Sequence, residues 1–144
     1  MRRLVGFLLL MGCFQMAVGQ SAISKANAEH YTWGQGCDGW YLLKNDQITV
    51  IQERMPRGTA ETLHKHARAR QFFFVLAGLA VMEHGGVVTT LTAGTGLEIP
   101  PGVPHRILNK GSTDLEILVT SLPPSHADRV AVDPSVVKPA WVGK

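Results

Sequence analysis

Long apolar runs, cysteine and clustered like charge are all scarce in this chain of 144 residues. The one extended apolar run lies in residues 1–19, where Arg2 and Arg3 precede a stretch of Leu, Val, Phe, Met and Gly ending in Ala17-Val18-Gly19. At about 16 residues, broken by Gln15, it is shorter than the roughly 20 that a bilayer requires, so no spanning helix is expected. Cysteine occurs twice, at Cys13 and Cys37. Basic residues never follow one another more than twice, and no basic stripe alternates with stacking aromatics, which argues against nucleic acid as a partner.

The N-terminal run has the layout of an export signal, with a basic start, an apolar middle and a small-residue cleavage site at Ala17 and Gly19. Its removal takes Arg2 and Arg3 from the formal charge of +3, so the basic balance belongs partly to the signal. An alternative is a lipoprotein, because Leu10-Met11-Gly12-Cys13 is similar to a lipobox in which Cys13 is acylated. Either route leads to the periplasm or the cell exterior. Cys37 is then left with at most one possible partner, and after cleavage at Gly19 with none, so no internal disulfide is expected.

What remains is punctuated by glycine and proline, 15 and 8 in the whole chain, set between short apolar runs. That pattern predicts an all-β domain. Residues 47–54 alternate and end at Met55-Pro56-Arg57-Gly58; residues 71–77 are aromatic and β-branched; residues 79–84 and 87–92 flank Gly85-Gly86, a hairpin turn. Residues 97–99, 105–109 and 115–121 complete at least seven strands. Residues 59–70 alone favour helix by composition. On a helix, however, His64 and His66 would diverge by about 200°, whereas on a strand they share a face, and a strand is expected here. The flanks are assigned as an N-terminal extension over residues 20–46, carrying Tyr31, Trp33, Trp40 and Tyr41 to pack on the barrel, on a dimer mate, or around a substrate pocket, and a surface tail over residues 122–144.

Three histidines lie where glycine and proline are regularly placed. Gly58, five residues, His64-x-His66, four residues, Gln71, six residues, Gly78 is one array; Gly94, five residues, Pro100-x-Gly102, two residues, His105, three residues, Asn109 is the other. Together they resemble the two motifs of the cupin family in a small single-domain bacterial form, with Gln71 where the family usually has Glu. The resemblance covers residues 47–121 and implies an antiparallel double-sheet jelly-roll barrel. It also implies one divalent transition metal ion, Fe, Mn, Ni, Co, Cu or Zn, held by His64, His66, Gln71 and His105. The residues agree with this independently, since imidazole nitrogens and an amide oxygen suit borderline divalent ions and leave coordination positions open.

Gln71 bears on mechanism, because three His and a Gln leave a divalent ion its full charge where a Glu would cancel one unit. A His, His, Gln, His set resembles that of cupins that open or isomerise unsaturated sugar acids. The leading expectation is therefore a metal-dependent lyase or isomerase on a small oxygenated acid or sugar, with a metal dioxygenase and a non-catalytic ligand-binding or metal-binding module as alternatives. Arg68 and Arg70, in the turn between ligand strands, are candidate anion clamps, and Glu98 is a candidate acid/base group or partner of a ligand. Phe73, sharing the parity of Gln71, is expected inside, with Phe72 and Phe74 facing outward to a partner sheet or dimer mate. His84 and His126 are assigned to solvent. Metal occupancy is expected to fall as pH drops through about 6, where unperturbed imidazoles protonate.

Overall fold

The computed structural model describes residues 21–137. The proposed signal and Cys13 lie outside the described residues, as do residues 138–144. Eleven strands form two antiparallel sheets: β1 (Glu29–Trp33), β2 (Cys37–Lys44), β3 (Thr49–Met55), β4 (His64–His66), β5 (Arg70–Ala77), β6 (Leu79–His84), β7 (Val87–Thr92), β8 (Gly96–Ile99), β9 (His105–Leu108), β10 (Leu115–Leu122) and β11 (Arg129–Ala131). One sheet runs β1-β2-β3-β10-β5-β8 and the other β11-β4-β9-β6-β7. This is the jelly-roll arrangement that the motifs imply.

Alternation sets the interior. Along β10, Leu115, Ile117, Val119 and Ser121 are buried while the residues between them face out, and along β5 Gln71, Phe73 and Val75 do the same. Phe72 and Phe74 stack on the outer face. The inward residues of the two sheets meet in one core that includes Met55, Phe73, Val75, Met82, Ile107 and Ile117.

Residues 59–63 escape the helix that their composition favours because neighbouring strands take their backbone groups. Asn109 N donates to Thr59 O, Glu61 N to Ile107 O, and Val132 N to Leu63 O, so the segment is fixed between β9 and the chain around β11 before it becomes β4. Tertiary pairing overrides propensity here. The crossing from one sheet to the other occurs at Gly78, whose φ of +86° and whose absent side chain are both needed: a Cβ there would lie 2.7 Å from Asp114 O.

Both flanks belong to the fold more fully than the sequence suggests. β1 and β2 are strands of the larger sheet, with β2 paired to β3, and Cys37 is fully buried in the core. Residues 122–137 are no simple surface tail either, since Arg129, Val130 and Ala131 pair with His66, Lys65 and His64.

Asn109, the last residue of the second array, closes the barrel end. Its side chain is fully buried, donates to Met55 O at 2.8 Å and Thr113 O at 2.9 Å, and accepts from Gly111 N at 3.1 Å. Asn109→Ala strands these three groups and is expected to cost about 3 kcal/mol, since each unsatisfied buried group costs about 1–3. Urea unfolding measures it, and an unchanged midpoint would refute this role.

Candidate metal centre

The site is built from the smaller sheet upward. His64 and His66 are two residues apart on β4 and buried on one side, and His105 is opposite His64 in the register of β4 and β9. The ring centroids of His64 and His105 are 4.3 Å apart, those of His64 and His66 4.9 Å, and those of His66 and His105 5.7 Å. One ring nitrogen from each lies within 4.8 Å of the others, a grouping that can hold a metal ion. Gln71 reaches the same place from β5 of the larger sheet, with its Oε1 2.8 Å from His105 Nε2.

Backbone carbonyls orient two of the rings. His64 Nδ1–H donates to Thr62 O and His105 Nδ1–H to Val103 O, each at 2.9 Å, which leaves the Nε2 lone pairs for the interior. Burial holds both groups neutral and pushes their pKa values down to about 4, with the charge of Arg129 adding to the effect at His64 and that of His64 at His105. His66 is lowered in the same direction by burial.

These residues fit a cation. Both ring nitrogens of His66 are buried without a hydrogen-bond partner. A neutral imidazole also carries only one N–H, yet at His105 two oxygens, Val103 O and Gln71 Oε1, face the two ring nitrogens. Protonation would supply the second hydrogen, but burial opposes it. A cation held by His105 Nε2 and Gln71 Oε1 would satisfy both lone pairs. Gln71 Nε2 meanwhile donates to Ser121 Oγ at 3.2 Å, which aims the amide oxygen at the triad.

The other sequence candidates are placed elsewhere. Glu98 pairs in register with Phe72, not Gln71, so it lies on the outer face, half exposed and in an ion pair with Arg70. Neither residue reaches the interior, because each has the opposite strand parity to Gln71 or to its buried partner Ile99. Arg68 is 70% exposed in the loop between β4 and β5, with Asp128 as its nearest acid at 3.9 Å. His84 is not simply solvated, whereas His126 is exposed, as assigned, and still makes one contact. His84 is half-buried opposite His105 in the β6 and β9 register, its Nε2 2.9 Å from Thr89 Oγ1, and His126 hydrogen-bonds the Tyr41 hydroxyl at 2.7 Å.

Sequence reading missed three acids, of which Glu61 lies beside the triad. Tyr31, Gly39 and Glu53 form one row across β1, β2 and β3. The Tyr31 ring lies over Gly39, where a Cβ would come within 2.3 Å of Tyr31 Cζ, and its hydroxyl donates to Glu53 Oε1 at 3.0 Å. Burial first, and then the nearby Glu61 carboxylate, push Glu53 up to about 8, so it holds a proton at neutral pH. Glu61 itself precedes β4, with Oε1 3.8 Å from His64 Nε2. Asp128 was missed as well: it accepts from Ala67 N, Arg68 N and Ala69 N and so fixes the loop linking β4 to β5. Those three bonds hold its carboxyl below the usual range. The only available signal was the presence of acids outside the motif positions.

Comparison with known proteins agrees with this fold. Residues 51–121 match the Cupin_2 family, described as a cupin domain. An oxalate-binding protein of Thermotoga maritima is 34% identical over 109 residues, covering 72% of this chain and 90% of that one. An RmlC-like cupin from Shewanella frigidimarina superposes with a TM-score of 0.67 at 23% identity, over 76% of this chain and 96% of the other. KdgF from Halomonas sp. gives the same TM-score at 18% identity, over 72% and 95%. With the two motifs, the two antiparallel sheets and the converging histidines all in register, the chain belongs to the cupin family.

Proposed function

We propose that this cupin is an exported, metal-dependent lyase or isomerase acting on a small oxygenated acid or sugar, with His64, His66, Gln71 and His105 holding one divalent transition metal ion. The observation that carries this reading is the convergence of three buried imidazoles, one nitrogen of each within 4.8 Å of the others, with Gln71 Oε1 2.8 Å from His105 Nε2. Such an ion supplies Lewis acidity, polarising a substrate oxygen without cost in proton transfer. Gln71 keeps that acidity high, because the amide adds no negative charge where a carboxylate would. Glu53, protonated at neutral pH and hydrogen-bonded to Tyr31, holds a proton on the inner face of the larger sheet, and an isomerase needs such a group to lend one and recover it. Tyr31 keeps the Glu53 carboxyl aimed by spanning the gap that Gly39 leaves.

A second reading rests on the oxalate-binding relative, with which this chain shares 34% identity over 90% of that protein. It makes this cupin a non-catalytic receptor for a small dicarboxylate at the same ion. A dioxygenase is the remaining option for an all-neutral ligand set. Export is inferred from the apolar run of residues 1–19 alone.

The test assays the native, metal-analysed protein against oxalate, keto acids and unsaturated uronates while following O₂ uptake. Turnover without O₂ consumption supports the lyase or isomerase. Coupled O₂ uptake would assign a dioxygenase, and saturable oxalate binding without product would assign a receptor. Sequencing the mature terminus checks export, with Gln20 or an acylated Cys13 supporting it and an intact Met1 contradicting it.

A further inference from the structure

We propose that Glu61 is the carboxylate ligand of this metal centre, supplied from the segment leading into β4 in place of the acid that position 71 lacks. The inference rests on the reading of the triad as a metal site and adds a residue outside both sequence arrays.

Position comes first. Glu61 N donates to Ile107 O at 2.9 Å, which ties the residue to β9, the strand that carries His105, and puts its side chain beside the triad. The carboxylate is nearly buried, at 12% exposure, with Oε1 3.8 Å from His64 Nε2. Atoms bonded to one ion at about 2.1 Å stand about 3–3.5 Å apart, so to share the triad's cation the Glu61 side chain closes this gap to His64 and moves toward the other two rings, whose grouped nitrogens it stands just outside.

The second observation is a missing partner. Glu61 Oε2 is buried without a hydrogen-bond partner, as are both nitrogens of His66, and His64 Nε2 is free of any bond to a backbone carbonyl. A buried carboxylate oxygen without a donor is costly, and so are unpaired lone pairs on buried imidazoles, unless a cation takes them. Arg129 does not fill that place: its Nη1 donates to Glu61 Oε1 at 2.9 Å and its Nη2 to Thr62 O at 3.3 Å. It fixes the carboxylate from the outer side and leaves Oε2 over.

The pairing has a consequence for charge. Glu61 and Arg129 together are neutral, so ligation by this carboxylate leaves the centre nearly as electrophilic as the amide of Gln71 makes it. A Glu at position 71, with Ser121 and His105 beside it and no guanidinium paired to it, would cancel a full unit. On this view the acid is placed where a guanidinium can compensate it.

The experiment uses the whole mature protein, stripped with a chelator and titrated with Co²⁺ at pH 7, reading the dissociation constant by calorimetry and the coordination by the visible d–d bands. Glu61→Gln is isosteric and is expected to weaken Co²⁺ binding at least ten- to a hundredfold, the range lost even when a group that merely supports a ligand is removed, and to alter the d–d spectrum. Arg129→Ala removes the ion pair and keeps the carboxylate, and should bind Co²⁺ as tightly as the parent or more so. An unchanged affinity in Glu61→Gln would overturn the proposal while leaving the metal centre intact. Weakened affinity with an unchanged spectrum would also overturn it, placing Glu61 outside the coordination sphere. A parent protein that binds no Co²⁺ would instead sink the metal reading itself, and the role of Glu61 with it.

Discussion

At pH 5 the metal-loaded protein should keep its ion, and the metal-free protein should be most stable near pH 6.5, with losses on either side. Unperturbed imidazoles would release metal near pH 6, and the structure moves that expectation downward because burial lowers His64 and His105 to about 4 and His66 in the same direction. Without metal, these groups bind fewer protons folded than unfolded between about 4 and the unfolded value of about 6.5, so stability rises with pH through that window and is lost on acidification. Across that window each of the two most shifted histidines contributes on the order of 3 kcal/mol in total. Glu53 acts in the opposite sense. Its folded value, raised to about 8, means that the folded state holds a proton the unfolded chain releases above about 4.5, so its contribution falls as pH rises toward 8. Below 6.5 the several histidines outweigh it, and above 6.5 it acts alone. Melting temperatures of the metal-free protein from pH 4 to 8 test both limbs, and Glu53→Gln should abolish only the alkaline one. Loss of half the bound metal by pH 6, measured by equilibrium dialysis, would refute the effect assigned to burial.

Gln71→Glu separates binding from catalysis. The substitution preserves length and packing and turns the amide, which faces His105 Nε2 and donates to Ser121, into a carboxylate. In the metal-free protein the new carboxylate accepts a hydrogen bond from His105 Nε2–H, which raises that histidine's pKa and shifts the acid limb of the stability profile upward. Metal affinity should hold or increase, because an opposite charge joins the site. Turnover should fall by about tenfold or more, since the same charge reduces polarisation of the substrate oxygen. A receptor would show only altered ligand affinity, and a purely structural ion only a higher melting temperature. Equal or greater turnover at full occupancy would disprove the role given to Gln71.

Much of this site was legible in one dimension because its backbone carries a period of two. His64 and His66 had to share a face once residues 64–66 were extended, Phe73 had to follow Gln71 inward, and Gly85-Gly86 had to turn a hairpin, where φ is positive at both residues. Spacing of glycine, proline and histidine specified the barrel and brought residues 41 positions apart, His64 and His105, into register.

Parity names a face without saying which strand lies beside it, and that is where tertiary structure decided. Glu98 was a plausible acid in sequence, but its register puts it opposite Phe72 on the outside. Glu53, Tyr31, Glu61 and Arg129 come from four separate segments, and nothing local in any of them announces the others. Residues 129–131 lack periodicity, yet they complete the smaller sheet because β4 offers a free edge, and Asp128 then reaches three backbone N–H groups of the loop before β5. The sequence by itself determined the strands, the turns and the three imidazoles, since these follow from local geometry and fixed spacing. Only the folded barrel determined which acid lies beside the imidazoles, how burial shifts each group and where the charge is compensated, because burial and Coulomb interactions depend on distances between segments far apart along the chain.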